Sequence, residues 1–317
     1  IGPRWRGAAR AENQRRDDHG TTDAAAPHRG ASNLREHDRT AGVDMSTMIA
    51  GVALAAGAGT RLAPITDSIP KPCCEVGARS LLDLALDRLE TVTSDLAVNA
   101  HHHTSQIARV AERRALVREE RPVALGTAGA IANLLDWVDG RAVAIVNADT
   151  WCPGGLRHLT AGWEGTTTRV LVPGGGAFGP RAAIVGTLIP WRAIRDLEVA
   201  PTGLYEVVWQ HEHRDGRLEV VPHAGPWMDC GTPTRLWQAN MAAIGDGNRI
   251  ADTADVLGVV QQSAVGERAV VAGTLTSSVV FAGARVEEDE TLDRTIRWAD
   301  GSTQHSLVVS DAEAPRR

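Results

Sequence analysis

Residues 57–72 read GAGTRLAPITDSIPKP and follow a short apolar run, Ile49 to Ala55, with the composition of a buried strand. A glycine-rich turn leaving a strand lets backbone N–H groups approach phosphate oxygens with no Cβ in the way. Arg61 and Lys71 add two kinds of cation to this loop, a planar fork and a compact ammonium, which together can clamp a polyphosphate. Pro70 and Pro72 stiffen the segment around Lys71 and are expected to keep it out of helix. Lys71 is the single lysine in the chain, and every other basic side chain among the 33 is arginine. That bias either marks a site needing a point charge or is an accident of composition. The turn lacks the third glycine of a G-x-G-x-x-G fingerprint, which argues against an NAD-dependent oxidoreductase.

Taken whole, the string is more specific than its parts. Gly57, Gly59, Thr60, Arg61, Leu62, Pro64, Thr66, Pro70, Lys71 and Pro72 supply every fixed letter of the pattern GxGTRLxPxTxxxPKP. In this the chain resembles the sugar-1-phosphate nucleotidylyltransferases, and the resemblance runs from about Ile49 to Ile244. It implies a Rossmann-like nucleotidyltransferase domain of α/β class, an NTP and a sugar 1-phosphate as substrates, and Mg²⁺ as cofactor.

Outward from the loop, the pattern alternates strand and helix. Gly51 to Ala55, Leu96 to Asn99, Ala115 to Arg118 and Ala142 to Ala148 read as strands. A helix from about Ser80 puts Leu82, Leu86 and Leu89 on one face, with Ser80 and Asp83 as a capping pair. Ile107, Val110 and Ala111 suggest a second helix, and Thr127 to Leu135 a third. This alternation predicts a mostly parallel sheet covered by helices, with ligands at the carboxyl ends of its strands. Further on, Val170 to Val172, Ala183 to Ile189, Val207 to Trp209 and Leu218 to Val221 are strand candidates. Thr232 and Pro233 open a helix that runs to about Ile244.

The chain of 317 residues is long enough for one large domain and a smaller unit. A net charge of -6 gives no basic footprint for nucleic acid. No apolar run reaches the roughly 18–20 residues of a membrane span, and no signal-peptide core is visible. Cys73, Cys74, Cys152 and Cys230 lack metal-site spacing and read as packing residues in a reducing, cytoplasmic setting. Residues 1–47 are expected to be a disordered tail, poor in large apolar side chains, with Met45 or Met48 as a natural start. The nucleotidyltransferase domain is placed at 48–246. Val265 and Val271, and then Val280, Val286 and Leu292, recur six apart, which resembles the hexapeptide repeat of left-handed β-helices. A short C-terminal left-handed β-helix-like segment is therefore placed at 250–300, packing on the catalytic domain or mediating a homo-oligomer. A loose tail is placed at 301–317.

Four constellations carry chemistry. The clamp of Arg61 and Lys71 is the catalytic pair, with Leu54, Ala56, Gly57, Gly59 and Thr60 as nucleotide-binding residues. Asp149 ends an apolar strand, where a carboxylate opens to a cleft and hard cations find oxygen ligands. Asp229 lies in GPWMDCGTPTRL, and its alternative reading is support for the Thr232 helix terminus. The resemblance implies that Asp149 and Asp229 together hold the metal. Glu120, Gly126 and Thr127 lie in EERPVALGTAGAI, similar to the element with which the family reads the nucleobase. Its LGTAG form looks most like mannose-1-phosphate guanylyltransferases. Glu206, in GLYE, is similar in place to a glutamate that contacts sugar hydroxyls, and Asn99 and His101 lie in a segment near the cleft. The family's E-K-P lysine is missing, with Arg181 as a stand-in. The leading expectation is transfer from GTP to mannose 1-phosphate. The alternatives are a uridylyl- or thymidylyltransferase acting on another sugar 1-phosphate, such as N-acetylmuramic acid 1-phosphate or glucose 1-phosphate, or a non-catalytic regulatory subunit.

Overall fold

A computed structural model describes residues 48–299 and 301–304. The readings of residues 1–47 and 305–317 lie outside the described residues. Seven strands form the main sheet: β1 (Ile49–Leu54), β2 (Leu96–Ala100), β3 (Leu116–Glu119), β4 (Ala142–Asn147), β5 (Thr168–Pro173), β6 (Gly186–Ile189) and β7 (Leu218–His223). Their order is β7-β5-β6-β4-β1-β2-β3. β6 runs antiparallel to β4 and β5, and the remaining pairings are parallel. The buried faces of β1 and β4 are almost continuously apolar, as a sheet covered on both sides requires. β1 has β2 on one side and β4 on the other, so the chain order reverses there and a crevice opens beyond the carboxyl ends. In register, Leu54 at the end of β1 lies between Asn99 and Asn147.

Helices α1 (Leu81–Glu90), α2 (Thr104–Ala111), α3 (Gly126–Ala132) and α4 (Pro233–Ile244) follow the expected signals. Ser80 caps α1: its Oγ accepts from the Asp83 amide at 3.0 Å and donates to the Asp83 carboxylate at 2.7 Å. Thr232 Oγ1 accepts from the Arg235 amide at 3.3 Å, with Pro233 in the first turn of α4.

Three local expectations change. Lys71–Cys73 is a single 3₁₀ turn. Pro72 is compatible with it because first-turn residues need no N–H donor, so proline blocks a longer helix rather than this turn. Val207 to Trp209 is not a strand: Tyr205–Trp209 is a π-helical turn that continues into a helix at Gln210–Arg214. Leu204 and Val208, one turn apart, both bury into the core beside Ile131 and Ile189, and that packing overrides the β preference of a short valine run. Thr303–Gln304, assigned to a loose tail, instead pairs antiparallel with Ile296–Arg297.

Beyond α4 the chain winds into parallel coils with three short strands each. Ile250, Val265 and Val280 stack on one side, Val256, Val271 and Val286 on the next, and Val260, Leu275 and Leu292 on the third. The spacing of six holds between the first and second sides of every coil, and between the second and third sides in the last coil alone. The following steps are four and five in the first two coils, so those coils are shorter than a hexapeptide pattern predicts. Asn248, Ser263, Ser278 and Thr295 form a ladder up one corner, each side chain of the first three accepting from the backbone amide of the next. One flank of the coils, Ala264, Val279, Phe281, Ile296 and Trp298, closes a core with Leu62, Cys74, Leu81, Cys230 and Leu236 of the catalytic unit. Trp237 Nε1 donates to the Ser277 carbonyl at 2.7 Å across the same seam. Among the described residues no helix is long and apolar enough to cross a membrane.

Candidate active site

The loop leaving β1 is shaped by Gly59, whose φ of +63° places it in the left-handed region. A Cβ there would also press on Lys71 Cβ and Thr66 Cγ2, each at 3.0 Å. This close approach lets the Lys71 segment fold over the loop. Thr66 Oγ1 donates to the Gly59 carbonyl at 3.1 Å and fixes the return. Among the described residues, the N–H groups of Gly57 and Ala58 donate to no protein acceptor, so they remain open to a ligand.

Lys71 is 6% exposed and stands between two carboxylates. Its Nζ donates to Asp149 Oδ2 at 2.8 Å and to Asp229 Oδ1 at 3.1 Å. Burial alone would lower its pKa, but the Asp149 and Asp229 carboxylates outweigh that and hold it raised, so it stays an ammonium at neutral pH. The aspartates come from segments eighty residues apart in the chain. Thr150–Trp151 and Met228–Asp229 pair antiparallel with Thr150 opposite Asp229, and this two-stranded ribbon makes them neighbours. Both are about half exposed and face the crevice, and Arg61 Nη2 lies 3.8 Å from Asp229 Oδ2.

A cavity of about 320 Å³ opens over this cluster. Of the residues singled out from sequence, Leu54, Ala56, Gly57, Gly59, Thr60, Arg61, Lys71, Asn99, Gly126, Thr127 and Asp149 line it. Asp229 reaches it through Lys71, beside the lining residue Gly231. Glu206 does not line it. A second cavity of similar volume shares the walls Leu54, Thr127 and Asn147, and Glu206, Tyr205 and Trp209 line that one. Arg181 is exposed and lines neither.

Glu120 plays a different part from the one its position in sequence suggests. It is 1% exposed and lies behind the cavity wall. Its Oε1 accepts from Asn99 Nδ2 at 2.7 Å, and its Oε2 accepts from the Leu125 amide at 2.7 Å. Asn99 Oδ1 in turn accepts from the Ala55 amide at 2.7 Å. A buried hydrogen-bonded chain thus ties the glycine loop to the LGTAG segment and fixes the distance across the cavity. His101 joins it from outside, with Nδ1 2.9 Å from the Glu120 carbonyl. The glycines of LGTAG are also spent on packing: a Cβ on Gly126 would run into the Thr202 carbonyl, and one on Gly129 into that of Ala200. Gly126 and Thr127 still line the cavity on their other side.

Asn147, Gly231 and Ala124, which also line the cavity, were not singled out from the sequence. Asn147 carried a usable signal, since it ends the apolar strand two residues before Asp149. All four cysteines are free, and burial pushes the thiols of Cys73 and Cys230 up to about 12, so they are inert. Among the described residues no group of three or more His, Cys, Asp or Glu side chains could hold a metal. Two convergent carboxylates remain, and they suit Mg²⁺, which usually takes one or two protein carboxylates and completes its shell with water and substrate oxygens.

Residues 51–215 match the MobA-like NTP transferase domain family. An N-acetylmuramate alpha-1-phosphate uridylyltransferase of Caulobacter vibrioides is 34% identical, over 60% of this chain and 93% of its own. A protein of the same name from Neisseria meningitidis serogroup B is 26% identical, over 60% of this chain and 96% of its own. Among solved structures, a candidate glucose-1-phosphate thymidylyltransferase from Bacillus anthracis, in complex with sucrose, superposes with a TM-score of 0.55 at 18% identity. That match covers 62% of this chain and 95% of the other, and it supports the fold.

Proposed function

Since the chain belongs to the MobA-like NTP transferase family and is a sugar-phosphate nucleotidylyltransferase, a transferase of phosphorus-containing groups, we propose that it moves a uridylyl group from UTP to N-acetylmuramate α-1-phosphate. The observation that carries the choice of substrate is the similarity to two uridylyltransferases of that specificity over nearly their whole length. The reading from GTP and mannose 1-phosphate rested on the LGTAG form, whose glycines here accommodate the backbone of residues 200–202. The walls of the second cavity favour an acylated sugar: Ile145, Ile184 and Leu204 are apolar, and Trp209 carries an indole N–H with no partner.

In the proposed reaction an oxygen of the sugar phosphate attacks the α-phosphorus of the NTP. The bond from that phosphorus to the bridging oxygen breaks, and pyrophosphate leaves. The attacking oxygen is already anionic, so the chain needs no general base and must instead align and neutralise two anions. Asp149 and Asp229 would hold Mg²⁺, which when bound supplies positive charge to the triphosphate. Two of the three Lys71 ammonium donors go to the aspartates, which leaves the third for an α-phosphate oxygen. The exposed Arg61 meets the β- and γ-phosphates. The free amides of Gly57 and Ala58 donate to phosphate oxygens, and Glu206 takes sugar hydroxyls.

The test is pyrophosphate release with UTP, dTTP and GTP, each against N-acetylmuramate, glucose and mannose 1-phosphates. UTP with N-acetylmuramate 1-phosphate is expected to give the highest kcat/KM. A higher value for GTP with mannose 1-phosphate would overturn the assignment.

A further inference from the structure

Away from the crevice, one charged group is stranded. Arg88 lies on the buried side of α1 and is 5% exposed. Its Nε donates to the Gly154 carbonyl at 3.2 Å, and its Nη2 is buried without a hydrogen-bond partner. Among the described residues it makes no ion pair, and burial lowers its pKa with no carboxylate to offset the effect. A guanidinium keeps its proton in proteins, so this charge stays buried and uncompensated. A leucine or methionine would fill the position at lower cost.

Arg88 lines a cavity of about 330 Å³ between α1 and the 152–155 turn, at the small end of the range for ligand sites. The turn is built to lie close to α1. Thr91 Oγ1 donates to the Arg88 carbonyl at 2.6 Å and accepts from the Leu156 amide at 2.9 Å. A Cβ on Gly155 would sit 2.6 Å from Thr91 Cγ2. Leu84, Trp151 and Pro153 make the other walls apolar. Asp87 stands at the rim, but its carboxylate is taken by Arg79 at 2.6 Å and Arg114 at 2.7 Å. Cys152, with Sγ 3.3 Å from His223 Nε2, supplies no counter-charge, because burial raises the thiol's pKa.

We propose that this cavity is a second ligand site, for a small molecule whose oxyanion, phosphate or carboxylate, pairs with Arg88 while its apolar part lies on Leu84 and Trp151. The guanidinium offers a planar fork that suits either group. The site shares no wall with the crevice cavity, yet Trp151 lies two residues beyond Asp149 on the ribbon that pairs with Asp229. An occupant therefore bears on the strand pair that carries both aspartates.

Thermal melting of the full chain is followed while inorganic phosphate, or acetate in a parallel arm, is added against chloride controls. At least one oxyanion is expected to raise the melting temperature of the parent and of Lys71→Met, with at least a tenfold weaker midpoint in Arg88→Met. A shift lost in Lys71→Met but kept in Arg88→Met would place binding in the crevice and overturn the proposal, as would no shift beyond chloride in the parent. If Arg88→Met fails to fold, parent crystals grown in selenate decide. An anomalous peak within hydrogen-bond reach of Arg88 supports the site, and crystals with selenate elsewhere but none there exclude it.

Discussion

The glycine loop and the C-terminal coils treat their polar groups in opposite ways. Along the loop, amides at Gly57 and Ala58 are left open, a left-handed glycine holds the turn, and half-exposed carboxylates gather on one ammonium. In the coils, short strands pair in register, an amide ladder climbs one corner, and valines and leucines stack inside. The first region keeps binding capacity unspent, and the second spends it on itself. The two meet in one core, where Leu62, next to Arg61, and Cys230, next to Asp229, pack with Phe281 and Trp298. The region with open binding groups is thus held in place by the one whose groups are paired.

Phe281→Ala tests this most severely. Phe281 is 1% exposed in the shared core, and its removal is expected to cost roughly 3–5 kcal/mol of stability, read by denaturant unfolding. Below the unfolding transition kcat is expected to stay within a few-fold of the parent. A collapse of kcat in folded protein would show that the coils tune the site as well as support it.

Lys71→Met is the converse. It is expected to lower turnover by about 10²–10³, or roughly 3–4 kcal/mol of transition-state stabilisation, with little change in melting. Lys71→Arg is expected to restore only part of the rate, because a guanidinium is planar and larger. Full activity in Lys71→Met would reduce the lone lysine to a compositional accident.

The smallest effect sits on the seam itself. Glu75 is buried against the coils, its Oε1 accepts from the Ala282 amide at 2.8 Å, and its Oε2 has no partner. Burial pushes its pKa up to about 7, against the lowering pull of that amide and of Arg268, with Glu267 adding to the rise. A carboxyl whose folded pKa lies above its unfolded value binds its proton more tightly when folded. Stability therefore falls as pH rises from about 4.5 through 7, by up to about 3 kcal/mol. Glu75→Gln is expected to flatten that slope in urea titrations at several pH values. An unchanged slope would assign the pH dependence elsewhere.

What the sequence makes legible depends on how far apart the cooperating residues lie. The clamp could be read because Gly57 to Pro72 carries its own geometry in one contiguous string. The caps at Ser80 and Thr232 are equally local. The pairing of Asp149 with Asp229 was reachable through resemblance, since the ribbon that joins them leaves no mark in either segment alone. The wire from Ala55 through Asn99 and Glu120 to Leu125 was not readable, because burial of a carboxylate is a property of the packed sheet. The helix at Tyr205 was missed because its valines suit either structure until Leu204 and Val208 find the core. The coil length was misjudged because only one step in each of the first two turns has the spacing of six.

A chain with a single ε-ammonium, held between Asp149 and Asp229, comes with a built-in reporter. Selective ¹⁵N enrichment of lysine places one side-chain signal in its spectrum, and that signal originates at the point where the two aspartates meet the crevice. Occupancy of the crevice can therefore be followed at a native atom, with no foreign probe attached.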